Sequence, residues 1–390
     1  LKMLGRGKGS RWHAVVLTLT ISVVLAACGT SAVSPTVQST PNNTKNTDKA
    51  NWEELAEWKQ TVEAAKVEKK LVISIPSSEE WRKILMTFQE DYPDIKLDIT
   101  TGNSRDFWPR ITQERKVGQY LWDFRIGGAD SSVWQAKKEG MLEPIRPMLI
   151  LPEVLDGSKW LGGMDGIFSD NERKYVVAFL GNKSYPAFVN RDVIPESELI
   201  TVKGLTDPKW KGKIVMSDPR GGAGQVNLAF LLKVYGEDFV KQLMFNQNIV
   251  ITKDLRQLSE WVIRQTYPVG FGLRNFDLIP FIDQGLGKNI KPLAVEEGAV
   301  AISPGSGGIQ YLNNAPHPNA SKVFINWLLS AKVQERLAVG TKWNSRRLDV
   351  KYGDPDAVIK PEELSKTIYP QDESGESYLQ RIADMTTKLK

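Results

Sequence analysis

From Trp52 onward, apolar and polar positions follow two alternating periods. Trp52, Leu55, Trp58, Val62 and Ala65 recur every three or four residues and predict an amphipathic helix. Leu71–Ile75 is a short, nearly continuous apolar run, as expected of a buried strand. Ser77-Ser-Glu-Glu80 fits a capping box, and Trp81, Ile84, Leu85 and Phe88 share one face of the helix that follows. Tyr92-Pro-Asp94 ends that helix, and Ile95–Thr100 predicts the next strand. A helical stretch runs to about Lys116, then come a strand at Leu121–Ile126, Gly127-Gly128 and a helix from about Ser131. The alternation resumes with a strand at Gly212–Ser217, a turn at Gly221–Gly224 and a helix at Val226–Tyr235. A helix at Asp254–Gln265 carries Leu255, Leu258, Trp261 and Val262 on one face, and a strand follows at Pro268–Gly272. Strands alternating with helices predict parallel sheets wrapped by helices. Extended pieces at Tyr175–Leu180 and Tyr185–Asn190 lie between the two α/β halves, and a second extended piece, Ala299–Ser303, comes later.

These elements predict an α/β bilobal clamp: two lobes joined by two extended hinge crossings, near Gly181–Lys183 and Ala301–Ser303, with a cleft between them. The expected division is 52–181 plus 304–340 for lobe 1 and 182–303 for lobe 2. Residues 341–390 are expected to pack on the lobes. No repeat of solenoid type is present.

The N-terminal end follows a different pattern. A basic stretch through Arg11 precedes an apolar run from Ala14 to Leu25, shorter than the ~20 residues needed to span a bilayer. The run ends in Leu25-Ala26-Ala27-Cys28, which resembles a bacterial lipobox. Residues 1–27 therefore read as a lipoprotein signal peptide, with Cys28 lipidated after cleavage. Residues 28–51, rich in Ser, Thr, Pro and Asn, read as a flexible polar tether. The expected location is the outer face of a bacterial membrane.

Composition narrows the chemistry. The 390 residues carry 51 Lys and Arg against 46 Asp and Glu, and Lys2, Arg6, Lys8 and Arg11 supply most of the excess. What remains is nearly balanced, which argues against nucleic-acid binding. Cys28 is the one cysteine, so intrachain disulfides and cysteine metal sites are excluded. There are two histidines, His13 in the leader and His317 between two prolines, which argues against Ser-His-Asp and Cys-His catalysis. No cofactor is expected.

Several segments, in order, resemble the ferric-iron-type extracellular solute-binding proteins of ABC importers: Leu71–Ile75 followed by Pro-Ser-Ser, Tyr92-Pro-Asp-Ile-Lys-Leu-Asp, Asp207-Pro-Lys-Trp-Lys-Gly-Lys-Ile214, Ala315-Pro-His-Pro-Asn-Ala320 with Phe324-Ile-Asn-Trp-Leu-Leu-Ser330, and Ser345-Arg-Arg-Leu-Asp-Val350. The resemblance covers about residues 52–360. It implies a class II periplasmic-binding-protein fold, a ligand held between two lobes, no catalysis, and a permease and an ATPase as partners of a monomeric binding protein. Iron-binding members use a His after the first strand, a Glu after the third and a Tyr-Tyr pair in the second lobe. The matching positions here are Ser78, Gly128, Asn275 and Phe276, and none carries such a ligand.

Ligands of such folds bind beyond the carboxyl ends of the strands. The candidates there are Ser77 and Ser78, then Asn103, Ser104 and Arg105, then Gly127, Gly128, Ala129 and Asp130. In lobe 2 they are Arg220, Gly221 and Gly222 before a helix start, and Arg274 with Asn275. Arginines and helix starts suit an anion, so a small organic anion is the expected ligand. Each candidate also has a plain structural reading. Arg220 can pair with Asp218 or Asp254, Ser77 can be a cap, the segment Ser303–Gly308 can be hinge, and Trp108 and Trp134 can be core. Three function classes follow: a transporter binding component for an organic anion or for iron(III) or an iron chelate; a ligand-presenting sensor subunit; and, against the His-poor composition, a carboxylate hydrolase. Neighbouring genes separate the first two, and turnover identifies the third.

Overall fold

The computed structural model describes residues 55–102 and 104–387. The expected signal peptide (1–27), the expected tether (28–51) and Cys28 lie outside the described residues.

Helix α1 (Ala56–Glu68) precedes strand β1 (Lys70–Ile75); α2 (Glu79–Met86) and the single turn α3 (Phe88–Asp91) lead to β2 (Lys96–Thr101). Then come α4 (Ser104–Lys116), β3 (Phe124–Ile126), α5 (Ser131–Lys138), the short α6 (Pro152–Leu155), β4 (Val176–Ala178), β5 (Asn182–Ser184) and β6 (Ala187–Asn190). The second α/β run is β7 (Ile214–Ser217), α7 (Gly222–Tyr235), α8 (Glu237–Lys241), β8 (Val250–Thr252), α9 (Leu255–Ile263), β9 (Val269–Phe271), α10 (Asn275–Ile282) and β10 (Ile290–Pro292). The chain ends through β11 (Val300–Ser303), β12 (Gly308–Tyr311), α11 (Pro318–Leu329), α12 (Ala331–Thr341), β13 (Thr367–Ile368) and α13 (Glu376–Thr386).

These strands form two five-stranded sheets and a small third one. The first has the order β2-β1-β3-β12-β4 and the second β10-β6-β9-β7-β8. In each, three neighbouring strands are parallel, as the strand–helix alternation predicts; a fourth, β12 in the first sheet and β6 in the second, runs antiparallel, and the strand beyond it, β4 or β10, points with the parallel set again. Leu71, Ile73, Ile75, Phe124 and Ile126 face one core of the first sheet; Trp108, Trp122, Val133 and Trp134 build the core on its other side. Trp108 and Trp134 are therefore core residues. The second sheet is likewise covered on both faces, by clusters around Phe230 and Leu231 and around Leu258 and Val262.

The crossings between the two α/β halves form the third sheet. β5 runs antiparallel to β11, with Ile302 opposite Lys183, and β13 adds a parallel third strand beside β11. The chain thus shows two α/β lobes with a strand sheet at their junction. The expected strand at Leu121–Ile126 is shorter, because the Asp123 carboxylate, not a neighbouring strand, takes the Val72 N–H, at 2.7 Å.

Candidate functional site

The carboxyl ends of both large sheets open on one cleft of about 910 Å³. In lobe 1, β1 ends in Pro76-Ser77-Ser78. The Ser78 N–H donates to the Pro76 carbonyl at 2.9 Å, and this turn delays the helix. Ser78 is then the N-cap of α2: its Oγ accepts from the Trp81 N–H at 3.4 Å and donates to Glu80 at 3.3 Å. The capping role expected of Ser77 falls one residue later, and both serines line the cleft. Beyond β2, Ser104 opens α4 with its Oγ buried and without a hydrogen-bond partner. Arg105 is the second residue of α4, and its side chain lies outside the described part. Beyond β3, Gly127, Gly128, Ala129 and Asp130 line the cleft. Asp130 caps α5, its Oδ1 accepting from the Ser132 N–H at 2.9 Å. A Cβ on Gly128 would stand 2.3 Å from the Gly305 carbonyl oxygen, so only glycine allows these loops to approach.

In lobe 2, α7 starts at Gly222, earlier than the expected Val226, and its N-cap Gly221 offers no side-chain acceptor. Gly222 and Ala223 line the cleft, as do Arg274, Asn275 and Phe276 at the start of α10. The two arginines expected to read an anion are already paired. Arg274 grips Asp277 through Nε at 2.9 Å and Nη2 at 2.6 Å. Arg220 grips Asp218 through Nε and Nη2, both at 2.8 Å. Arg220 and Gly221 also fall outside the lining of the large cleft. They line a separate pocket of about 650 Å³ with Ser217, Asp218 and Lys253. The reason is local: an aspartate two or three residues away reaches each guanidinium within its own turn.

The small junction sheet and its flanks supply another wall. Asn182, Lys183, Tyr185, Ser303 and Gly305 line the cleft, with Trp343 and Gln371 from the C-terminal part of the chain. Lys183 is held by Glu363 at 2.7 Å. Gln371 accepts from the Ser303 hydroxyl at 3.0 Å and donates to the Ala129 carbonyl at 3.3 Å. Ser78, Gly128, Asn275 and Phe276, the positions matching the family's iron ligands, all line the cleft. Among the described residues, no group of three or more His, Cys, Asp or Glu is placed to hold a metal ion.

Sequence reasoning missed Arg125. It stands in β3, only 3% exposed, and lines the cleft. Its Nη1 donates to Ser74 Oγ at 2.8 Å and its Nη2 to the Gly102 carbonyl at 3.3 Å. The signal was available: a charged residue inside an otherwise apolar parallel strand contradicts the pattern of a sheet buried on both faces.

The family model for "Bacterial extracellular solute-binding protein" matches residues 83–266. Iron uptake protein A1 of Synechocystis is 21% identical over 257 residues, covering 63% of this chain and 66% of that protein. The structure is similar to iron-bound HitA from Pseudomonas aeruginosa, with a TM-score of 0.63 and 18% identity over 82% of this chain and 99% of that one. It is also similar to AfuA from Actinobacillus pleuropneumoniae with fructose 6-phosphate bound, with a TM-score of 0.57 and 23% identity over 82% and 99% of the two chains. Among the described residues no helix is long and apolar enough to cross a membrane. The chain thus shares its fold with solved periplasmic binding proteins such as AfuA, and residues 83–266 carry the similarity to bacterial extracellular solute-binding proteins.

Proposed function

We propose that this protein captures a small organic anion in the interlobe cleft and delivers it to the permease and ATPase of an ABC importer. The observation that carries this reading is the donor character of the cleft. The N-termini of α2, α4 and α5 open on it from lobe 1, and those of α7 and α10 from lobe 2. Each brings the positive end of a helix dipole, with Ser78 and Asp130 taking some of the N–H groups at the starts of α2 and α5. A trivalent cation requires hard anionic oxygens, and Ser78, Gly128, Asn275 and Phe276 supply none. The fructose 6-phosphate named in the AfuA structure is an organic anion of this kind. The iron-binding neighbours favour a second reading, in which iron arrives as an anionic chelate and meets the same donors.

Calorimetric titration of the purified protein against fructose 6-phosphate, 2-aminoethylphosphonate, citrate, ferric citrate and ferric ion separates these readings. The expected result is one-to-one binding of an organic anion and no binding of the bare ion. Binding of ferric citrate alone would select the chelate reading. Tight binding of ferric ion with no organic partner would overturn the proposal.

A further inference from the structure

The positive residues at the cleft differ in one respect. Arg274 and Lys183 are each held by a carboxylate, at 2.6 and 2.7 Å. Arg125 is not: among the described residues it makes no ion pair. The acid nearest in influence, Asp130, is occupied with the N–H groups at the start of α5. A guanidinium buried to this degree without a counter-charge is costly, and burial pulls its pKa down to about 10.

The surroundings show which edge of Arg125 is unused. Nη1 and Nη2 are anchored on Ser74 and on the Gly102 carbonyl, and the side chain stacks on Phe107 at 5.0 Å. Nε is buried and has no partner. Nε and Nη2 together form the fork that binds carboxylate or phosphate bidentately. That fork faces Gly127, where a Cβ would stand 3.2 Å from Nε and 3.3 Å from Nη2. One further buried polar atom of the same cleft lacks a partner, Ser104 Oγ at the start of α4.

We infer that Arg125 reads the charge of the ligand: an oxyanion, carboxylate or phosphate, enters lobe 1 first, over Gly127, and takes the Nε–Nη2 fork, leaving its organic body toward lobe 2. This rests on the organic-anion reading above and adds to it the anchoring residue and the orientation. Glycine at 127 keeps the fork open, and Ser104 contributes a hydroxyl donor to the same oxygens.

The test uses fructose 6-phosphate for the phosphate source, citrate for the carboxylate source and fructose as the neutral control. Arg125→Met removes the fork in an apolar side chain of similar length, and Arg125→Lys keeps a charge without the fork. Gly127→Ala leaves the arginine in place but crowds its free edge. Binding of the preferred anion should weaken roughly 10- to 100-fold in Arg125→Met and Gly127→Ala, and less in Arg125→Lys. Fructose should show no binding to any of them. If the parent binds an anion and both Arg125→Met and Gly127→Ala bind it equally well, the inference is wrong while the organic-anion reading stands. If the parent binds neither anion, that reading falls and takes this one with it. Should Arg125→Met not fold, Gly127→Ala decides alone, and parent-like affinity overturns the inference.

Discussion

At the scale of single residues, burial and pairing decide which charges are available. Arg220 and Arg274 stand out in the sequence because they sit at strand ends, yet each is bound to an aspartate of its own turn. Arg125 is hidden inside a strand and unpaired. Strand-end position is legible in a sequence, but counter-charge pairing depends on backbone turns the sequence does not spell out. The same accounting applies to Asp372, in the C-terminal segment. Burial raises its carboxyl from 3.8 to about 6, against the pull of Arg346. The folded protein thus keeps a proton that the unfolded chain releases between these two values. Stability from this group therefore falls as pH rises from about 4 to about 6 and stays reduced above that. Asp372→Asn should remove this slope and stabilise the protein at pH 7, by up to roughly 3 kcal/mol. Denaturant unfolding at pH 4.5 and 7 checks this, and an unchanged difference between the two pH values in the variant would contradict the assignment.

At the scale of elements, the parallel strands and their helices were legible because they combine apolar runs with helical periodicity. Strands such as β5, β12 and β13 are two to four residues long and take their place from pairing alone, so no period announces them. The start of α7 was misplaced for a related reason. Glycines weaken a helix reading, but here they serve close contact: a Cβ on Gly224 would stand 2.4 Å from the Ser217 carbonyl oxygen. Gly272, at the end of β9, is tighter still. Its φ is +80°, and a Cβ there would lie 1.9 Å from Ser217 Oγ. Gly272→Ala therefore combines left-handed strain with a clash against a buried side chain. It should cost about 2 kcal/mol or more. A lower urea midpoint at unchanged slope is expected, and a parent-like midpoint would show that β9 and α7 relax freely.

At the scale of the whole molecule, the junction sheet and the C-terminal segment tie the two halves together at the cleft. β13 joins the sheet formed by β5 and β11, and the segment after it contacts both sides. Lys137 of α5 holds Glu373 at 2.7 Å, while Arg381 of α13 holds Glu237 of α8 at 2.8 Å. Gln225 at the start of α7 donates to the Leu379 carbonyl at 3.0 Å. Any relative movement of the lobes must therefore strain or exchange contacts of this segment. A ligand shifts such an equilibrium only by its difference in affinity between the two states. An anion seated on Arg125 in lobe 1 gains its lobe 2 contacts, at the N-termini of α7 and α10, only when the lobes approach. The expected outcome is a smaller radius of gyration by small-angle scattering when the protein is saturated with the anion that calorimetry identifies. Arg125→Met at the same ligand concentration should keep the ligand-free curve. If the parent binds the anion stoichiometrically and its scattering does not change, the ligand is held by one lobe alone, and closure is not how this protein retains it.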